Sequence, residues 1–280
     1  MRPPTTLAFA VLLACGASTS STSSGTPSTP DPPSGPDQPS AGCAHWTLPR
    51  GVTGGSIDVG GVVRTYVLSV PQSASGPLPV VFAFHGMGSN GTDFRNWLTW
   101  LKLESSAAGP TVFVYPDALV GTNGQTGWED ASGRDTAFFD AVLARIEAGA
   151  CVNESRVFVM GFSYGGFMSN NLGCHRAGVV RAIAPLSGFG PRGTCNGQKL
   201  AVWMATGDQD SLLPQSIGAR DTFVGIDSCG SSTAGVDPSP CLAYAGCAAG
   251  NPVVWCQFSG VHEVQSWEPP ALMRFFDRLP

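Results

Sequence analysis

The residues equipped for covalent chemistry gather in one heptapeptide, Met160-Gly161-Phe162-Ser163-Tyr164-Gly165-Gly166. It follows a short apolar run, Arg156-Val157-Phe158-Val159, and opens a stretch of helical character. Gly-x-Ser-x-Gly between strand and helix is the pattern of a nucleophile elbow, a turn so tight that the serine adopts a strained backbone. Side chains two residues away would collide, so Gly161 and Gly165 meet a steric demand, and Gly166 lets the helix pack close. Ser163 is expected at the carboxyl edge of a sheet, placed to attack a carbonyl carbon.

A serine hydroxyl is a poor nucleophile until a base takes its proton. That base is usually a histidine oriented by a buried carboxylate. In elbow architectures the partners follow in the order serine, acid, histidine. The chain has four histidines. His45 and His85 precede Ser163, and His175 lies on the helix directly after it, pointing away from the active edge. His262, in the loop Ser259-Gly260-Val261-His262-Glu263 after the last strand, is therefore the expected base. The acid should follow the preceding strand, in Thr206-Gly207-Asp208-Gln209-Asp210-Ser211-Leu212-Leu213. Asp208 and Asp210 compete. Asp210 is favoured, because a glycine turn before it and an apolar pair after it tuck its side chain inward, leaving Asp208 to cap the turn.

The tetrahedral intermediate needs two preorganised N–H donors for its oxyanion. The Tyr164 amide follows the nucleophile, and the Met87 amide lies in the glycine-flanked loop Phe84-His85-Gly86-Met87-Gly88. His85 is expected to brace that loop. Trp128 and Trp267 are candidates to line an aromatic acyl pocket by stacking, weighed against ordinary packing roles.

These residues need a scaffold. Alternating or continuous apolar runs predict strands over 62–70, 78–84, 111–115, 157–160, 180–186, 200–205 and 253–258. Helical periodicity covers 93–105, 135–148, 164–174, 216–224 and 271–278. Strands alternating with helices imply an α/β domain whose mostly parallel central sheet carries helices on both faces.

The two ends frame this domain. Met1-Arg2, an apolar run through Leu7-Ala8-Phe9-Ala10-Val11-Leu12-Leu13-Ala14 and then Cys15 read as an export signal. Leu12-Leu13-Ala14-Cys15 also has the form of a lipoprotein box, making Cys15 the expected lipidation site, with a plain secretory peptide as the alternative. Residues 16–42 are nearly all Ser, Thr, Pro, Gly and Asp, with no apolar surface to bury, and read as a disordered tether. The folded domain is expected over residues 43–280. Of 9 cysteines, Cys15 apart, eight remain, which in an exported protein predict up to four disulfides. Four of them crowd into 229–256, predicting a stapled loop excursion rather than regular structure. A net charge of −5 argues against nucleic acid or an anionic membrane surface as partner, so the membrane enters only through the anchor. A monomer is expected.

Together these motifs resemble the alpha/beta-hydrolase esterases that include feruloyl esterases, polyhydroxybutyrate depolymerase-like enzymes and some acetyl xylan esterases. The resemblance runs from Gly42-Cys43 to the C-terminal helix. It rests on the strand closing in His85-Gly86, on Tyr115-Pro116-Asp117, on Gly127-Trp128 and on the elbow with Arg156 before it. Pro238-Ser239-Pro240-Cys241, Tyr244-Ala245-Gly246-Cys247 and Val253-Val254-Trp255-Cys256 look most like type C feruloyl esterases. The resemblance implies an alpha/beta-hydrolase fold and the triad Ser163, Asp210 and His262. It implies an exported serine esterase without metal or organic cofactor, acting on hydroxycinnamoyl esters of plant polysaccharide. A polyester or acetyl-ester hydrolase on the same scaffold is the alternative, and a non-catalytic glycan-binding lipoprotein a remoter one. Val261 stands where the family usually has glycine, and Glu263-Val264-Gln265 where proline is common.

Overall fold

The computed structural model describes Met1 and residues 37–280. The expected signal segment, Cys15 and most of the expected tether lie outside the described residues. The end of that tether does not: Pro39 bridges Asn153, and the Ser40 amide donates to the Val152 carbonyl at 2.9 Å. Residues of the expected tether next to the 42/43 boundary thus find backbone partners although they bury little apolar surface.

The chain forms β1 (Gly51–Val59), β2 (Val62–Val70), β3 (Leu78–Phe84), α1 (Gly91–Trp100), β4 (Val112–Pro116), α2 (Arg134–Gly149), β5 (Val152–Phe162) and α3 (Tyr164–His175). It continues through β6 (Ala182–Leu186), β7 (Ala201–Gly207), α4 (Leu213–Ile226), β8 (Thr233–Gly235), β9 (Cys241–Tyr244), β10 (Val253–Phe258) and α5 (Glu268–Asp277). The strands form one sheet in the order β1-β2-β4-β3-β5-β6-β7-β10-β9-β8. The run from β4 to β10 is parallel, and both ends are closed by antiparallel strands. Every residue of β4, β6 and β7 is buried, as a sheet covered on both faces requires.

The covers sort cleanly. Phe138, Phe139 and Ile146 of α2, Phe167 and Leu172 of α3, and Phe223 of α4 pack on one face with Val80, Phe82 and Val159. Phe94 and Leu98 of α1 and Leu272 and Phe276 of α5 pack on the other with Val81, Phe113 and Trp203. Phe158 and Phe276 stack at 4.6 Å, and each such side chain contributes roughly 1.5–3 kcal/mol on burial.

Several elements differ from the sequence-based expectation; β5, expected over 157–160, runs Val152–Phe162, and α4, expected over 216–224, runs Leu213–Ile226. The helix expected over 93–105 stops at Trp100, because Lys102 takes a left-handed backbone (φ 66°) and the chain resumes as a short 3-10 turn at Glu104–Ser106. β1 was not expected; its residues alternate between half-buried and exposed, so it shows little apolar signal. The 229–256 segment is not purely a loop, because β8 and β9 extend the sheet beyond β10. It is stapled as expected. Cys229–Cys247 closes it and Cys241–Cys256 ties β9 to β10, while Cys43–Cys151 and Cys174–Cys195 account for the remaining four cysteines.

Candidate active site

Ser163 caps the N-terminus of α3 with φ 58° and ψ −114°, a backbone that non-glycine residues seldom adopt. The chain reverses so sharply that a Cβ on Gly165 would run into the Phe84 carbonyl oxygen. The Ser163 amide donates to the Leu186 carbonyl at 2.9 Å, which fixes the elbow against β6.

The loop after β3 lies alongside. A side chain at Gly86 would meet Ser163 Cβ at 3.6 Å, so this loop borders the serine. Among the described residues, neither the Met87 nor the Tyr164 amide donates to a protein acceptor. The Tyr164 amide directly follows Ser163, and the Met87 amide directly follows Gly86 in the loop that borders the serine. His85 holds the loop from behind. The Ala118 amide donates to its Nε2 at 3.1 Å, so the proton sits on Nδ1, which donates to the Gly86 carbonyl at 2.7 Å. Burial pushes the His85 pKa down and keeps the ring neutral, against smaller opposing effects of that hydrogen bond and of Asp117.

Asp210 and His262 come from separate loops at the carboxyl ends of β7 and β10. His262 Nδ1 lies 2.8 Å from Asp210 Oδ2, and the Leu212 amide donates to Asp210 Oδ1 at 2.8 Å. Burial pushes the Asp210 pKa up, but the Leu212 amide, Ser187 and His262 outweigh it, leaving the carboxyl below its usual value. The Phe162 ring sits 4.8 Å from the His262 imidazole, which places that ring beside the residue preceding Ser163.

Of the two competing aspartates, Asp210 is thus the one that meets the histidine. Asp208 is exposed and accepts the Gly260 amide at 3.1 Å, so it clamps the two loops together rather than merely capping a turn. Sequence reasoning missed this role, although Gly207-Asp208 held the signal. A Cβ at Gly207 would strike the carbonyls of Gly260 and Val261, so glycine is what allows the loops to touch. His175, the last residue of α3 and so at the end opposite Ser163, bonds the Arg192 carbonyl at 2.8 Å.

The two candidate acyl-pocket tryptophans differ in their surroundings. Trp128 is fully buried, packs edge-on against Phe84 at 4.9 Å and donates through Nε1 to the His85 carbonyl at 2.9 Å. It supports the loop after β3 through the His85 carbonyl and has no solvent-exposed surface. Trp267 is half-buried with its ring against Trp203 and Phe258, anchoring the chain that leaves the His262 loop. Among the described residues no three His, Cys, Asp or Glu side chains cluster as a metal site would.

Strand order, elbow and acid–histidine pair define an alpha/beta-hydrolase. The same fold is found in a ferulic acid esterase (TM-score 0.55, 17% identity, 80% of this chain and 98% of that one). It is also found in an acetyl xylan esterase from Aspergillus awamori (TM-score 0.58, 16% identity, 76% and 93%). No family model matches the chain. The sequence is 31% identical over 252 residues to feruloyl esterase D of Neurospora crassa, covering 82% of this chain and 84% of that protein. It is 33% identical over 258 residues to a probable feruloyl esterase C of Aspergillus clavatus, covering 85% and 90%. The chain belongs to the feruloyl esterase family and is a carboxylic ester hydrolase.

Proposed function

We propose that this protein is an exported serine esterase that releases hydroxycinnamoyl groups, feruloyl above all, from plant cell-wall polysaccharide through an acyl-enzyme. The observation that carries the reading is the 2.8 Å pair between His262 Nδ1 and Asp210 Oδ2, set beside the elbow serine. With Nδ1 occupied, Nε2 is the nitrogen free to take the Ser163 proton. Ser163 Oγ attacks the ester carbonyl, and the Met87 and Tyr164 amides receive the oxyanion. The imidazolium then protonates the departing sugar oxygen. Water repeats the sequence on the acyl-enzyme and frees the acid. Asp210, held ionised, stabilises the imidazolium at both stages. Loss of one oxyanion donor in such a site costs on the order of 10²–10³ in kcat. No metal or organic cofactor has a role in these steps.

Export is supported by the four disulfides, which persist in oxidising compartments. Lipidation at Cys15 is part of the proposal and is tested by whether Cys15→Ser moves the protein out of the membrane fraction. The decisive experiment on activity measures ferulate released from feruloylated arabinoxylan, alongside labelling by a fluorophosphonate. Ferulate release and labelling that both vanish in Ser163→Ala are expected. Release of acetate from acetylated xylan or hydroxybutyrate from polyester, without ferulate, would move the assignment to another ester class. A folded protein that resists labelling would be a binding module rather than an esterase.

A further inference from the structure

Ser187 is the first residue after β6, and β6 lies between the strand that carries Ser163 and the strand that leads to Asp210. The residue is tied on both sides of this position. Leu186 accepts the Ser163 amide, and the Ser187 amide donates to the Ala205 carbonyl at 2.8 Å. Ser187 therefore stands between nucleophile and acid at the carboxyl edge of the sheet.

Three properties set it apart. Its backbone is left-handed, with φ 48°, although glycine is the residue such a backbone favours and Gly188 follows at once. It is 1% exposed. Its Oγ is buried without a well-formed hydrogen bond, a costly state for a hydroxyl. Burial raises the Asp210 pKa, and this hydroxyl, after the Leu212 amide, is among the neighbouring groups that lower it, although it makes no well-formed hydrogen bond in this state. Asp210 Oδ1 holds the Leu212 amide and Oδ2 meets His262, yet an ionised carboxylate accepts up to about four hydrogen bonds. Strain and a buried unpaired hydroxyl are tolerated together where the side chain has a partner to meet during turnover.

Resting on the serine-esterase reading above, we propose that Ser187 is a positioning residue whose hydroxyl donates a third hydrogen bond to Asp210, holding the carboxylate aimed at His262 as the imidazolium forms. A small rotation about χ1 completes the bond when positive charge develops on the ring.

The test uses the full chain and a p-nitrophenyl ester, so that it does not depend on the natural acyl group. Ser187→Ala removes the hydroxyl. Ser187→Gly removes it while relaxing the left-handed backbone, which guards against a variant that merely fails to fold. Both are expected to lower kcat about 10- to 100-fold with KM within twofold, the range for losing a hydrogen bond to a charged group. In an Asp210→Asn background the same changes should have less than about a twofold effect, since a residue acting through Asp210 has nothing left to act on. Unchanged kcat in Ser187→Gly, or an undiminished loss in the Asp210→Asn background, would overturn the proposal. Fluorophosphonate labelling separates the two readings. A wild-type protein that resists labelling removes the serine-esterase mechanism and this inference together, whereas labelling with normal turnover in Ser187→Gly removes this inference alone.

Discussion

The Asp208 carboxylate accepts the Gly260 amide at 3.1 Å, and the Asp208 amide donates to the Phe258 carbonyl at 2.8 Å. Two residues further along, the Asp210 carboxylate reaches His262. Two aspartates in one short turn thus make different contacts: one joins two loops, and the other meets the histidine of the loop so joined. Asp210→Asn is expected to lower kcat by roughly 10³–10⁴ through loss of the charge that orients the imidazole. Asp208→Ala should lower it less than about tenfold, and Asp208→Asn, which keeps an acceptor for Gly260, should be near wild type. Steady-state kinetics on any activated ester checks the ranking, and equal losses at both positions would mean that Asp208 shares the acid's role.

Gly207 makes the join sterically possible. Its missing side chain leaves room for the carbonyls of Gly260 and Val261, which a Cβ would strike. Gly207→Ala must push the loops apart, and a displacement near 1 Å costs about 10²-fold in catalysis. The expected signature is a kcat loss of that order with only a modest fall in Tm. A variant with full activity would show that the His262 loop does not need this contact.

How much of this was legible from sequence follows from what each residue contacts. The elbow was readable because its glycines obey local sterics, and 62–70, 78–84 and 253–258 became strands at the expected bounds because buried strands are continuous or alternating in hydrophobicity. β1 was invisible because an edge strand with one half-buried face needs few apolar residues. Trp128 stayed open between pocket and packing because its neighbours Gly127 and Glu129 give a loop no period, and only the tertiary fold turns the indole inward. Ser187 gave no signal at all, since its significance lies in a backbone angle and a buried environment that sequence does not encode locally.

Buried carboxyls set the pH dependence of stability. Burial pushes Asp227 up to about 7, against smaller lowering by the Leu200 amide and Lys199, and burial also raises Glu268 well above its usual value. Each group's stabilising contribution is fully present below its unfolded pKa, near 4, and is lost as pH rises toward the folded value. Asp210 and His85, whose pKa values are lowered, act oppositely: their contributions are lost as pH falls, below about 3.8 for Asp210 and below about 6.5 for His85. Asp227→Asn keeps an acceptor for the Leu200 amide, bonded at 3.2 Å, and removes the charge. It should stabilise on the order of 4 kcal/mol at pH 8 and little at pH 4. Denaturant unfolding at the two pH values checks this, and a pH-independent difference would show that Asp227 is not buried as a titrating acid.

The disulfides should differ in worth. Cys43–Cys151 spans 108 residues and Cys241–Cys256 spans 15. On loop entropy alone the longer closure stabilises by about 1.8 kcal/mol more, a Tm difference of about 4–7 °C for a domain of this size. Replacing each pair with serine and comparing Tm tests it. The Cys241–Cys256 pair is almost wholly buried against the sheet. If its removal costs more than that of Cys43–Cys151, packing and not chain entropy governs that staple.

Trp128 links the core to the oxyanion loop through one hydrogen bond, from Nε1 to the His85 carbonyl, while His85 in turn binds Gly86 and Ala118. The Met87 amide thus rests on a short relay of contacts through two fully buried side chains. Trp128→Phe retains much of the packing on Phe84 but leaves the His85 carbonyl without that donor, an uncompensated loss worth roughly 1–3 kcal/mol. Part of that loss should appear as loop displacement, so kcat is expected to fall about tenfold while KM for small esters holds. Were Trp128 instead a wall of the acyl pocket, the same change would alter KM selectively for aromatic acids and leave acetyl esters alone. A side-by-side comparison of feruloyl and acetyl p-nitrophenyl esters separates the two outcomes, and a uniform kcat loss across both is the result that the buried indole requires.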